Sequence, residues 1–153
     1  CWLSTKQLQR MYTYYLSLGT NLGDKEGNLR QAIQLIEERI GAIASLSAFY
    51  VSEPWGFQSE NSFLNACCGV NSVLAPNVLL EATQQIEREL GRTEKSLNGI
   101  YHDRLIDIDI LLAFENGQSI AMQTAQLTLP HPLMHQRDFV LIPLRQIAPY
   151  MAI

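Results

Sequence analysis

DRLIDIDILLAF, residues 103–114, alternates isoleucine with aspartate before it turns apolar. Ile106, Ile108 and Ile110 interleave with Asp107 and Asp109 at a period of two, which reads as a strand. Residues i and i+2 of a strand share a face, so both carboxylates point the same way. One face then carries Asp107, Asp109, Leu111 and Ala113, and the other Ile106, Ile108, Ile110, Leu112 and Phe114. So read, the stretch is the last strand of a longer alternating series.

Working back along the chain supplies the other members. YTYYLSLG (12–19) has the aromatic and apolar content of a strand, and TNLGD (20–24) is turn chemistry with Asp24 placed to cap a helix. Leu29, Ala32, Ile33, Ile36 and Ile40 recur at helical spacing, giving a helix over about 25–40. Residues 42–51 and 63–74 read as strands, with a polar, aromatic-rich loop between them. Pro76 opens a second helix of about 76–90, and Gly91 ends it. Glu115-Asn116-Gly117-Gln118 is a tight turn, and VLIPLRQIA (140–148) a short helix with Pro143 in its first turn. The order β-α-β-β-α-β predicts an α+β, ferredoxin-like fold: a mainly antiparallel sheet with helices packed on one face. Residues 1–12 are set aside as a mobile leader or extension, and 13–153 form one domain.

Composition narrows the class of activity. The chain has 153 residues, enough for one domain with a genuine core, and its 47% hydrophobic and 17% charged content is ordinary for a globular protein. A net charge of −4 gives no electrostatic case for nucleic acid or a membrane surface. Nothing approaches the roughly 20 apolar residues of a spanning helix. Cys67 and Cys68 are adjacent and Cys1 is alone, a pattern that favours reduced thiols and a cytoplasmic setting and lacks zinc-ligand spacing.

Four constellations could carry chemistry. Asp107 and Asp109, with Cβ atoms ~7 Å apart, can converge on one hard cation or two, or serve as strand-end partners for Arg92 and Arg104. The basic loop RTEKSLNGIYHDR (92–104) brings Arg92, Lys95 and Arg104 towards those carboxylates, as a metal-bound nucleotide requires, although a solvated loop would look the same. PHPLMHQRDF (130–139) holds His131, His135, Arg137 and Phe139, and its prolines argue against a helix that would pair the histidines on a metal. Ser52, Trp55, Phe57, Phe63 and Asn65 offer aromatic faces for a flat heterocycle and an amide for its edge, or simple strand packing.

Taken in order, these segments resemble the 6-hydroxymethyl-7,8-dihydropterin pyrophosphokinases of folate biosynthesis. The resemblance runs through YLSLGTNLGD (15–24), SAFYVSEPWG (47–56), FLNA (63–66), IERELGR (86–92), DRLIDIDIL (103–111) and LPHPLMHQRDFVLIPLRQIAP (129–149). It implies transfer of diphosphate from ATP to the pterin hydroxymethyl group, releasing AMP, with two Mg²⁺ ions held by Asp107 and Asp109. Arg92, Lys95, Arg104, His131 and Arg137 would contact ATP, with Arg92 and Arg104 steadying the phosphates during reaction. Phe63 and Phe139 would sandwich the pterin, Asn65 would bind its edge with Ser52 beside it, and Trp55 and Glu87 would complete that side. ATP and the pterin are the implied partners, with no obligate protein partner. The resemblance also implies that the pterin binds well only after the nucleotide.

The chain departs from the family pattern at several points. His102-Asp103 stands where many members have Gly-Pro, and Glu94 where some have a base, so the phosphate loop has one cation fewer. Ser52 replaces a common threonine and Phe63 a frequent tyrosine. A non-catalytic ferredoxin-like module, with the aspartates as salt-bridge stations, is the alternative on residue grounds alone.

Overall fold

The computed structural model describes residues 10–53, 62–91 and 106–149. Strand β1, Tyr12–Thr20, leads into helix α1, Lys25–Arg39, followed by β2, Gly41–Leu46, β3, Tyr50–Ser52, and β4, Phe63–Ser72. Helix α2, Pro76–Gly91, precedes β5, Asp107–Glu115, and the short strands β6, Gln118–Ser119, β7, Met122–Gln123, and β8, Thr128–Leu129. A short 3-10 turn, Met134–Gln136, introduces helix α3, Asp138–Ile147.

The main sheet runs β2-β4-β1-β5-β6 with β3 also paired to β4, and every pairing is antiparallel. With β2 and β3 taken as one interrupted strand, this is the ferredoxin-like order that the β-α-β-β-α-β reading predicted. Tyr12, assigned by sequence both to the leader and to the first strand, is the first residue of β1 and is buried against Ser72 and Glu115.

Helix α1 starts where Asp24 Oδ1 accepts the Gly27 N–H at 3.1 Å, with Glu26 in the first turn and Arg39 in the last, each complementing the helix dipole. Its buried stripe of Leu29, Ala32 and Ile36 joins Leu79 and Ile86 of α2 against Leu16, Leu18, Ile108 and Ile110 of the sheet. Arg39 of α1 and Glu89 of α2 form a two-pronged ion pair at 2.6 and 2.7 Å across the helix pair.

Helices pack on both faces of the sheet, which corrects the one-face expectation. Val140, Leu144 and Ala148 bury Cys67, Leu111 and Met134 in a second core under α3. The central strand β4 is buried continuously from Asn65 to Val70, the signature of a strand covered on both sides. Cys67 and Cys68 therefore go to opposite cores, Cys67 under α3 and Cys68 under α1 and α2. Helix α3 also begins earlier than predicted, so Pro143 lies mid-helix rather than in the first turn. Pro143 gives up one helical N–H and is itself buried.

The strict two-face alternation of the last strand fails at Leu111. Tyr15 pairs Leu112 while Leu16 pairs Ile110, so Leu111 is an extra residue bulged out of the ladder. Beyond it the faces exchange: Ala113 joins the α1–α2 core, and Leu112 packs with Tyr15 on the α3 side. Phe114 also meets Tyr15, edge to face at 6.1 Å. The Leu111 carbonyl released by the bulge accepts the His131 N–H at 2.9 Å, which ties the segment before α3 to β5. Asn116 and Gly117, both at positive φ (50° and 86°), make the expected tight turn after β5. Among the described residues no helix is long and apolar enough to cross a membrane.

Candidate active site

The aspartate face of β5 looks towards α3, because register fixes it. Directly paired residues of an antiparallel sheet project to the same side. Cys67, Ser17 and Asp109 form one such row, and Cys67 lies in the α3 core. The next row towards the strand ends is Tyr50, Asn65, Gly19 and Asp107, and the row beyond it places Ser52 opposite Phe63. Ser52, Phe63, Asn65, Asp107 and Asp109 thus share one face at one end of the sheet. Arg137 and Phe139, at the start of α3, face the same end.

Each side chain is held by identifiable contacts. Asn65 Nδ2 donates to the Tyr50 carbonyl at 2.9 Å and to Ser52 Oγ at 2.8 Å. Both amide hydrogens are committed, so Asn65 presents Oδ1, an acceptor, to a ligand. Gly19 keeps the space beside it open: a Cβ there would stand 3.2 Å from Asn65 Oδ1 and 3.6 Å from the Phe63 ring. Phe139 packs its half-buried ring against the α3 core while the Arg137 guanidinium lies 5.7 Å from its centroid. Arg137 also reaches Asp109, Nη1 to Oδ2, at 3.7 Å.

Glu87 comes from α2 to the outer edge of β5. The Ile108 N–H, on the side of the strand away from β1, donates to Glu87 Oε2 at 2.8 Å. Burial pushes the Glu87 carboxyl up to about 8, and Asp107 beside it adds both charge repulsion and a carboxyl–carboxyl hydrogen bond in the same direction. Glu87 therefore belongs with the aspartate pair in this geometry.

His131 accepts the Leu133 N–H on Nδ1 at 3.1 Å, which leaves the proton of the neutral ring on Nε2. Burial lowers its pKa, and Arg137 lowers it further. The ring is a neutral donor beside the Arg137 cation.

Two half-exposed carboxylates supply hard oxygen ligands, and among the described residues no group of three or more His, Cys, Asp or Glu is placed to cage a metal. That set suits Mg²⁺, which keeps several waters and takes its remaining ligands from substrate phosphates. Trp55, Arg92, Lys95 and Arg104 lie outside the described residues, as do Glu94 and His102-Asp103. Sequence reading took Gly19 only as the end of a strand and passed over Ser47 and Gln146, because their importance rests on pairing with distant segments.

Comparison with known proteins identifies the family. Residues 15–149 match the family model for 7,8-dihydro-6-hydroxymethylpterin-pyrophosphokinase. The chain is 51% identical over 141 residues to the 2-amino-4-hydroxy-6-hydroxymethyldihydropteridine pyrophosphokinase of Porphyromonas gingivalis, covering 92% of this chain and 94% of that protein. It is 42% identical over 134 residues to the Bacillus subtilis enzyme of the same name, covering 87% and 76%. Among solved structures, wild-type Plasmodium falciparum HPPK-DHPS has the same fold at a TM-score of 0.67 and 17% identity. The match covers 94% of this chain and 39% of that longer one. The chain belongs to the 7,8-dihydro-6-hydroxymethylpterin-pyrophosphokinase family.

Proposed function

We propose that this chain transfers diphosphate from ATP to the hydroxymethyl group of 6-hydroxymethyl-7,8-dihydropterin, releasing AMP, in folate biosynthesis. The observation that carries the site assignment is the row Asn65–Gly19–Asp107, which sets an edge-recognition amide beside a carboxylate pair on one face. The pterin lies between Phe63 and Phe139, with its edge on Asn65 Oδ1 and with Ser52 and Trp55 beside it. Asp107 and Asp109 hold two Mg²⁺ ions, whose chemistry when bound is to neutralise the phosphates and polarise their oxygens.

The reaction is an in-line displacement at the β-phosphorus, in which the hydroxymethyl oxygen forms the new P–O bond and AMP leaves. Positioning and charge complementarity supply most of the catalysis. Arg92, Lys95, Arg104 and Arg137 bind the phosphates, and His131 donates to them through Nε2. Glu87, which the resemblance puts on the pterin side, also holds the Ile108 amide next to Asp107. The substrates are small molecules, the setting is cytoplasmic, and no obligate protein partner is required.

A coupled AMP assay with the pterin as acceptor tests this directly. AMP release that needs both the pterin and Mg²⁺ is the expected result. Release of ADP would indicate single-phosphoryl transfer, and metal-independent ATP binding by calorimetry would favour the non-catalytic module.

A further inference from the structure

The Ser52 hydroxyl reaches Asn65 only because the chain slips by one residue between β2 and β3. Leu46 pairs Cys68, and four residues later Tyr50 pairs Asn65, only three residues along β4. The 46–50 side therefore carries one extra residue. Without it Phe49 would stand opposite Asn65 and Val51 opposite Phe63, since a one-residue slip exchanges the faces. The slip turns Ser52 onto the site, and Val51 to the other side, where it is exposed.

Ser47 occupies the slip. Its N–H donates to the Cys67 carbonyl at 2.9 Å, half of an ordinary ladder pair. The other half is made by its side chain: the Cys67 N–H donates to Ser47 Oγ at 2.9 Å. Ser47 Oγ in turn donates to the Ala48 carbonyl at 2.9 Å. The hydroxyl has replaced the Ser47 carbonyl as acceptor, which lets the main chain turn out of the ladder without orphaning a buried amide. Ser47 is itself buried. From α3, Gln146 Oε1 accepts the Ala48 N–H at 2.9 Å, a second hold on the same residue.

We infer that Ser47, seconded by Gln146, is a positioning residue for the pterin side of the site, acting through the β2–β3 slip to set Ser52 against Asn65. This rests on the pterin reading of that face. Neither residue touches the ligand.

The test combines kinetics with a readout that needs no ligand. Ser47→Ala is expected to raise the KM for the pterin about three- to tenfold, the loss of one buried hydrogen bond, with kcat and the KM for ATP little changed. Gln146→Leu, on the exposed side of α3, is expected to raise the same KM by about twofold. In a Ser52→Ala background both effects disappear, because the group they position is gone. In the ligand-free protein, the Asn65 side-chain NH₂, held by Tyr50 and Ser52, shows faster hydrogen exchange in each variant. Active wild-type protein whose pterin KM and Asn65 exchange stay unmoved in Gln146→Leu, and in any folded Ser47→Ala obtained, overturns the inference, as does full additivity with Ser52→Ala. Wild-type protein that releases no AMP overturns the pterin reading instead, and the Asn65 exchange then still decides the positioning role.

Discussion

Asn65 and Asp107 face the same side of the sheet with a single strand between them, each in register with Gly19. Two strand spacings put their backbones about 10 Å apart, so a flat ring on Asn65 can extend a substituent to the aspartate pair. The missing side chain of Gly19 keeps that path open. Gly19→Ala is expected to raise the pterin KM by roughly tenfold and Gly19→Val by more, with little change in melting temperature. Steady-state kinetics with calorimetry on the same preparations checks this, and an unchanged KM would remove Gly19 from the account.

Glu87 gives the metal-free protein a pH dependence. Its folded pKa, raised to about 8 from an ordinary 4.5, means that the folded state binds the proton more tightly than the unfolded one. The stability so gained is full below about 4.5 and is lost as pH rises through about 8. In chelator, the melting temperature of the wild type should fall more steeply over this range than that of Glu87→Gln, which keeps an acceptor for Ile108. Parallel curves for the two proteins would contradict the assignment.

Burial, helped at Cys67 by the neighbouring Cys68, makes both thiols inert. It pushes both thiols up to about 12, so almost no thiolate exists at neutral pH. Thiol mapping by mass spectrometry should find neither residue labelled by a disulfide reagent in the folded protein at about pH 8. Both should react once denaturant is added.

The residues of His131 and Leu133 fix a tautomer. Nitrogen-detected NMR should place the proton of the neutral ring on Nε2, with a midpoint below the usual 6.5. A midpoint above that value would mean that Asp107, which pulls the other way, outweighs burial and Arg137.

Local pattern carried most of the element reading. The spacing of Leu29, Ala32 and Ile36 and the cap at Asp24 depend only on neighbours in sequence, and α1 runs where they predict. The alternation of Ile106, Ile108 and Ile110 likewise placed the aspartates on one face. Pairing could not be read this way. The bulge at Leu111 and the slip at Ser47 exist only relative to β1 and β4, and each reverses which residues face the site beyond it. The second core under α3 was hidden for a similar reason, since Cys67 and Cys68 look alike until partners separate them. The resemblance put Glu87 on the pterin side, but its hydrogen bond to Ile108 beside Asp107 depends on how α2 packs along β5, which no local pattern shows.

The central claim is that Asp107 and Asp109 hold the metal for diphosphoryl transfer, and AMP release by the Asp107→Ala/Asp109→Ala double variant tests it most directly. Assayed with ATP, Mg²⁺ and the pterin, the variant should fall by about a thousandfold or more, matching loss of several kcal/mol of charge stabilisation, while calorimetry shows a folded protein. Turnover at the wild-type rate from that folded variant would contradict the account.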